Sequence, residues 1–255
     1  NCQRGGPGLG TIQPSQSDYF QACKGGAHGD FHLIVLAPNS VQEMHDFVAD
    51  AFELAFKYRN PVMILSDGVI GQMMEKVELA EQRPRWTDEE IVKMHSSWAC
   101  TGKTADREGN IVTSLELDPY AQEQFNYKIF EKYARCEKED VRFEEYMCDD
   151  ADYLIVAFGS SARICKETIS IARANGHKVG LIRPITLWPF PSKKIAEVAQ
   201  KTKGVLVAEL NMGQMVDDVR LAVNGAVPVE HYGRTGGAVY TPDQVYEALK
   251  NKIIK

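Results

Sequence analysis

The sequence predicts an α/β protein: a partial first domain, a looser connector, and a second domain built as a doubly wound parallel sheet. Three features carry this. Continuous apolar runs of strand length recur, among them residues 33–37 and 154–158. They alternate with helical stretches of ~10–15 residues, the pattern of parallel sheets with helical crossovers. The alternation lapses in the middle of the chain and resumes cleanly from Ala151. The expected boundaries are therefore 1–75, 76–150 and 151–255.

Leu33-Ile34-Val35-Leu36-Ala37 is apolar at every position, as a strand buried on both faces requires. Pro38-Asn39 ends it. Ser40-Val41-Gln42-Glu43 then reads as a capping box, with Ser40 at the N-cap and Glu43 reaching back. Val41, Met44, Val48, Ala51, Ala55 and Tyr58 follow at helical spacing and predict one apolar stripe. Arg59-Asn60-Pro61 stops that helix before the buried strand Val62-Met63-Ile64-Leu65, which completes a β-α-β unit expected to be right-handed. The connector holds Pro84, Trp86, Trp98 and the polar run Asp106-Arg107-Glu108-Gly109-Asn110, whose last three residues predict a tight turn. A helix is expected over 119–137, with Phe125, Ile129 and Tyr133 on one side.

Beyond it, strands are expected over 153–158, 178–182, 205–210 and 227–232. Helices are expected over 162–174, 192–201 and 214–223, with Gly159-Ser160-Ser161 as a turn and Ser192 as an N-cap. Thr241-Pro242-Asp243-Gln244 combines an N-cap, a proline at the first helical position and a reciprocating glutamine, and it opens the last helix.

Composition narrows the function. A net charge of −6 gives no footprint for nucleic acid. No apolar run approaches the ~20 residues that span a bilayer, and no signal peptide is visible. The six cysteines are scattered without a Cys-x-x-Cys pair, so neither a zinc site nor an iron–sulfur cluster is expected on this chain. Isolated reduced thiols place it in the cytoplasm. The start, Asn1-Cys2-Gln3-Arg4, falls inside a loop pattern and reads as a truncated or cleaved beginning.

Several segments can carry chemistry. Gly5-Gly6-Pro7-Gly8-Leu9-Gly10 follows Arg4, and an arginine beside a glycine loop can hold a carboxylate by two parallel hydrogen bonds; a plain surface turn is the alternative. His28 lies among glycines in Lys24-Gly25-Gly26-Ala27-His28-Gly29-Asp30, accessible for proton transfer or simply a loop histidine. Gly102-Lys103-Thr104 is no P-loop, because Ser97 stands where its first glycine belongs. Ser66-Asp67-Gly68 lacks the first glycine of a magnesium–diphosphate motif, and no Asn-Asn pair follows, so this chain is not expected to hold a diphosphate. The proline-rich run from Arg183 to Pro191, including Pro189 and Phe190, reads as a rigid docking surface. Asn211 and Gln214 lie at a strand's carboxyl end, where α/β folds bind ligands, although Asn211 also reads as a helix cap. Arg234 sits in the closing glycine loop Gly233-Arg234-Thr235-Gly236-Gly237, suited to an anion, a partner carboxylate or a turn.

Taken in order, the Gln3-to-Gly10 loop, Gly25-to-Asp30, Val35-to-Ser40, Asn60-to-Asp67, Arg183-to-Pro191 and Glu209-to-Gln214 resemble the α subunit of 2-oxoacid:ferredoxin oxidoreductases over nearly the whole chain. The Pro-Gly-Leu-Gly form of the first loop is most similar to the branched-chain, 3-methyl-2-oxobutanoate type. The resemblance implies the second half of a thiamine-pyrimidine-binding domain followed by a transketolase C-terminal-like domain. It also implies thiamine diphosphate and magnesium shared with a β subunit that carries the diphosphate motif, with coenzyme A as cosubstrate. A small subunit would carry the iron–sulfur clusters, ferredoxin would accept the electrons, and the heteromer would itself be oligomeric.

By the same resemblance, Arg4, Gly5, Gly6, Gly8 and His28 line the substrate, with Arg4 facing its carboxylate. Pro189, Phe190, Asn211, Gln214 and Arg234 form a subunit or domain interface. The family's later loop threonine is replaced by Gln13, and the upstream segment with the glutamate that protonates the aminopyrimidine has no counterpart here. No complete catalytic set is therefore expected, and the chain alone is expected to be inactive. Alternatives are a 2-oxoglutarate-specific relative, a subunit of another thiamine enzyme such as a 2-oxoacid dehydrogenase, or a non-enzymatic docking protein.

Overall fold

Apolar runs become strands and capped stretches become helices in the order the chain dictates. The structure, a computed structural model, describes residues 1–81, 85–103, 105 and 107–254. Pro84, Thr104 and Asp106, which enter the reading above, lie outside the described residues. The first part contains β1 (Cys2–Gln3), α1 (Tyr19–Cys23), β2 (Ile34–Leu36), α2 (Val41–Tyr58), β3 (Val62–Ile64) and β4 (Ser66–Asp67). The middle contains α3 (Asp88–His95) and α4 (Pro119–Glu139). The last part begins with β5 (Phe143–Tyr146), β6 (Tyr153–Val156), α5 (Gly159–Ala174), β7 (Val179–Pro184) and β8 (Thr186–Trp188). It ends with α6 (Ser192–Ala199), β9 (Val205–Glu209), α7 (Met215–Val223), β10 (Val229–Gly233), α8 (Pro242–Leu249) and a π-helical turn over Lys250–Ile254.

Two compact units result: Asn1–Glu78 together with the chain from Phe130 onward, and Leu79–Ile129. Within the first, β10-β9-β6-β7-β5 form one sheet, parallel except for β5, which runs antiparallel to β7. Its central strands are sealed on both faces: Leu154, Ile155, Val156, Leu206 and Val207 expose nothing. Burying each such side chain contributes ~1.5–3 kcal/mol. A second sheet, β3-β2-β8, is completed by the segment expected to be a docking surface. Thr186–Trp188 pairs antiparallel with β2 (Val35↔Trp188), so the run packs on the first part of its own chain, with Pro189 and Pro191 buried and Phe190 half-buried. Proline supplies no backbone donor, and here the run supplies an edge strand to its own chain instead.

Several local expectations are also revised. Ser40 accepts from Glu43 N as foreseen, but the Glu43 carboxylate reaches back to Asn39 N (2.8 Å) and is shared with Arg183. Of the predicted stripe on α2, Tyr58 is buried, Val41, Met44, Ala51 and Ala55 are half-buried and Val48 is exposed, while Phe47 and Leu54, outside it, are buried. Val48, Phe52 and Phe56 are exposed, and Val48, Ala51, Phe52 and Ala55 face Val62 and Ile64 across a groove of about 340 Å³. α5 starts at Gly159 without an intervening turn, and Ser192 is the first residue of α6, with Pro191 at the cap and no side-chain bond there. Thr241 and Gln244 do form the reciprocal capping box.

In the second unit, Thr87 and Glu90 cap α3 reciprocally. The tight turn expected at 108–110 is absent; Asn110 Nδ2 instead donates to Ser96 O (3.2 Å) and Ala99 O (2.9 Å), and Arg107 Nη1 also donates to Ser96 O (2.8 Å). Among the described residues, no helix is long and apolar enough to cross a membrane.

Candidate functional site

The parallel pairing of β1 with β4 (Cys2↔Ser66, Gln3↔Asp67) fixes where the chain emerges as Arg4. The loop after Arg4 closes on itself through Gly5 N→Gln13 O (2.9 Å), Thr11 N→Gly5 O (2.8 Å) and the Arg4↔Pro14 bridge. The exposed Arg4 guanidinium donates through Nη1 to the carbonyls of Leu9 and Thr11 (the latter at 3.4 Å). These are neutral acceptors, so its positive charge is oriented without being cancelled. Gly8 is exposed, Gly6 half-buried and Gly5 buried. Leu9 and Ile12 are 89% and 84% exposed, an unusual display of aliphatic surface beside a cation.

The closing glycine loop packs against this one. A Cβ on Gly5 would stand 2.8 Å from Gly236 C and 3.0 Å from Gly237 N, so the two backbones touch where only glycine fits. Thr11 Oγ1 donates to Gly236 O (3.0 Å). Arg234 leaves the end of β10 in the same loop, half-buried, with its backbone N 3.4 Å from Glu209 O. The fold thus joins two arginine-bearing glycine loops that are far apart in sequence. His28 is exposed in its own loop, and among the described residues no hydrogen bond or ion pair links it to the Arg4 loop.

Open parallel sheets bind ligands where strand order reverses, beyond the carboxyl ends of the strands. Here that point lies between β6 and β9, and Gln16 fills it. Its fully buried side chain donates to Phe158 O (2.8 Å) and Asp67 Oδ2 (3.3 Å) and accepts from Ser161 Oγ (2.6 Å) and Leu210 N (3.1 Å). The helix N-termini that would attract an anion are also taken. Asp67 Oδ2 accepts from Ser160 N at the start of α5 (3.0 Å). Glu209 accepts from Met215 N (2.8 Å) and Val216 N (3.0 Å) at the start of α7. Burial pushes the Glu209 carboxyl above its ordinary range, against the pull of these donors and of Asn211. Position 159 requires glycine twice over: its φ is +55°, and a Cβ would meet Asp67 Oδ2 and Gln16 Nε2, each 2.9 Å away.

Asn211 therefore does not cap α7, since Glu209 does that work. Asn211 Nδ2 donates to Gln16 O (2.7 Å), and its Oδ1 accepts from Gly213 N (2.7 Å). Gln214 occupies the cap position and links α7 to the N-terminal segment through Phe20 N (2.8 Å) and Ser17 O (2.8 Å). Gln16 is the residue that sequence reasoning missed. Nothing in Ser15-Gln16-Ser17 signals a buried glutamine.

A thiamine diphosphate with its metal can be tested against these groups. Asp67, in the segment that fails to match a diphosphate motif, is 1% exposed, with Oδ1 accepting from Val69 N (3.0 Å) and Ile70 N (3.2 Å) and Oδ2 bound as above. A carboxylate with both oxygens committed to protein donors does not fit a metal–diphosphate ligand. Among the described residues no group of three or more His, Cys, Asp or Glu side chains is arranged to hold a metal ion. Among these charged groups the Arg4 guanidinium differs: it is exposed beside Leu9 and Ile12 and donates only to neutral carbonyls.

An α/β chain of this design, with an arginine-bearing loop at the start of its first domain, matches two families in sequence. Residues 1–145 match pyruvate flavodoxin/ferredoxin oxidoreductase, thiamine diphosphate-binding, and residues 151–245 match pyruvate:ferredoxin oxidoreductase core domain II. The chain belongs to the pyruvate flavodoxin/ferredoxin oxidoreductase family. It is 49% identical to the ketoisovalerate oxidoreductase subunit VorB of Methanothermobacter marburgensis, over 93% of this chain and 65% of that protein. It is 45% identical to VorB of Methanothermobacter thermautotrophicus, over 98% and 69%. The 2-oxoglutarate synthase subunit KorA of Methanothermobacter marburgensis is 32% identical over 98% and 72%. The chain thus spans about two thirds of the length of these two VorB relatives. A solved 2-oxoglutarate:ferredoxin oxidoreductase from Magnetococcus marinus shares the fold, with a TM-score of 0.73 and 24% identity over 98% of this chain and 47% of that one.

Proposed function

We propose that this chain is the α-type subunit of a cytoplasmic 2-oxoacid:ferredoxin oxidoreductase and that it holds the carboxylate of a branched-chain 2-oxoacid. The observation that carries this is Arg4, exposed, oriented by two carbonyls of its own loop and bordered by Leu9 and Ile12. A guanidinium so placed can engage a carboxylate with two donors, while the neighbouring aliphatic side chains cover a short branched chain. The arrangement binds and orients; it supplies no nucleophile. In the overall reaction the 2-oxoacid and coenzyme A give acyl-CoA and CO₂ while two electrons reduce ferredoxin; iron–sulfur clusters outside this chain would relay those electrons. Thiamine diphosphate supplies the carbanion chemistry. Its diphosphate and magnesium are assigned to a partner β subunit, because Asp67 is fully engaged here. The clusters are assigned to a small third subunit, and the assembly to an oligomer of the heteromer. Alone, the chain is inert.

His28 is assigned to the substrate's surroundings, as the resemblance implies, without a chemical step. The apolar α2–β3 groove, with Phe52 63% exposed, supports a further polypeptide lying there.

A 2-oxoglutarate-specific reading has one observation in its favour. The Arg234 loop against the Arg4 loop can offer a second cation to a distal carboxylate. One experiment decides both matters. The complete assembly, given 3-methyl-2-oxobutanoate and coenzyme A, is expected to reduce ferredoxin or a viologen dye but not a lipoyl carrier. Its kcat/KM is expected to exceed that for 2-oxoglutarate by about 10-fold or more, the discrimination a single apolar contact gives. A reversed ratio establishes the dicarboxylate reading, and turnover only with a lipoyl carrier assigns the chain to the dehydrogenases.

A further inference from the structure

We infer that Thr11 is a positioning residue through which the second domain sets the Arg4 guanidinium. This rests on the substrate role proposed for Arg4. Thr11 is the node of the loop, and each of its polar groups has a separate partner. Its backbone N donates to Gly5 O at 2.8 Å, which closes the turn. Its carbonyl accepts from Arg4 Nη1 at 3.4 Å, one of the two bonds that aim the guanidinium. Its hydroxyl donates to Gly236 O at 3.0 Å, across 225 residues of sequence.

The contact is backed by shape. Gly237 holds φ +98°, and a Cβ there would overlap Gln13 and stand 2.8 Å from Thr11 Oγ1. Gln13 O in turn accepts from Gly5 N. A displacement of the closing loop is therefore passed to Thr11 and Gln13, and from both to the Arg4 turn. The second domain's own switch-point crevice is plugged by Gln16, so it holds no ligand there. Its closing loop serves the first domain's arginine instead. Arg4 has few other constraints: it is exposed, and the two carbonyls it meets belong to a loop with Leu9 and Ile12 out in solvent. A side chain held so lightly is sensitive to one tether, because a charge contact needs both donors in register with the carboxylate.

The test uses the complete assembly and four variants. Thr11→Val keeps the shape and removes the hydroxyl. It is expected to raise KM for the 2-oxoacid about 5- to 10-fold, the effect of one lost hydrogen bond, with kcat and KM for coenzyme A within about twofold of the parent. Thr11→Ser, which restores the hydroxyl, is expected to bring KM back. Gly237→Ala, which pushes the loops apart from the other side, should reproduce the Thr11→Val phenotype with subunit association intact. An unchanged KM in Thr11→Val overturns the inference, as does an equal rise in both KM values or a defect that Thr11→Ser fails to rescue. Arg4→Ala separates the two levels. If it cripples 2-oxoacid use while Thr11→Val is silent, only the positioning role falls. If Arg4→Ala is itself silent, the substrate role falls with it.

Discussion

Arg183→Ala is expected to lower the free energy of unfolding by about 2–4 kcal/mol. Arg183 is the penultimate residue of β7, at 3% exposure, and its guanidinium forks onto Glu43 through Nη1 (2.8 Å) and Nη2 (2.7 Å), while Nε lies 2.8 Å from Glu144 Oε2. Glu43 belongs to α2 in the first domain and Glu144 to β5 in the second, so one cation joins three elements. Removing it leaves the Glu43 carboxylate without its counter-charge while Asn39 N still pulls it inward, and leaves Glu144, among the described residues, paired with Lys166 alone. Breaking a buried pair in this way typically costs ~3–5 kcal/mol. The carboxylates here keep 23% and 30% of their surface, so water offsets part of that. Arg183→Lys is expected to recover less than half, because one ammonium cannot fork onto both. Urea denaturation of the chain checks this through the midpoint at constant slope. A shift equivalent to less than about 1 kcal/mol removes the ion pair from the account.

Gln16→Leu is expected to cost about 3–5 kcal/mol, although it exchanges a polar side chain for an apolar one of similar size in a buried site. The loss comes from the partners left behind. Phe158 O, Ser161 Oγ and Leu210 N lose their bonds to the amide, and the Asp67 carboxylate loses one donor. Each unsatisfied buried group costs ~1–3 kcal/mol, reduced where the site relaxes or admits water. Near-neutral stability of Gln16→Leu, measured by the same denaturation, contradicts the view that this glutamine plugs the second sheet.

How much of this was legible in the sequence follows from the range of the interactions. β2, α2 and β3 are written locally, as an apolar run, a serine cap and an Asn-Pro stop, and each appears where expected. The Thr241–Gln244 cap is equally local. The role of the proline-rich run was not legible, because whether Leu187 and Trp188 face solvent or β2 depends on a partner strand about 150 residues away. The buried face of α2 was misjudged for a related reason: the helix carries apolar residues on two sides, and only tertiary contact selects Phe47 and Leu54 over Val48 and Phe52. At the site, the Arg4 loop announced itself by its glycines. Gln16 and Thr11 did not, because their side chains bond residues far away in sequence: Asp67, Phe158, Ser161 and Leu210 for Gln16, and Gly236 for Thr11. The cap assigned to Asn211 failed because Glu209, two residues earlier, reaches the same helix end with a charge.

The central claim is that Arg4 takes the substrate's carboxylate, and kinetics of Arg4→Ala in the complete assembly test it most directly. A fall in kcat/KM for 2-oxoacids of about 10- to 100-fold is expected, the worth of a charged two-donor contact, with Arg4→Lys in between and subunit association unchanged. Full activity in Arg4→Ala, or a loss explained by subunits coming apart, contradicts it.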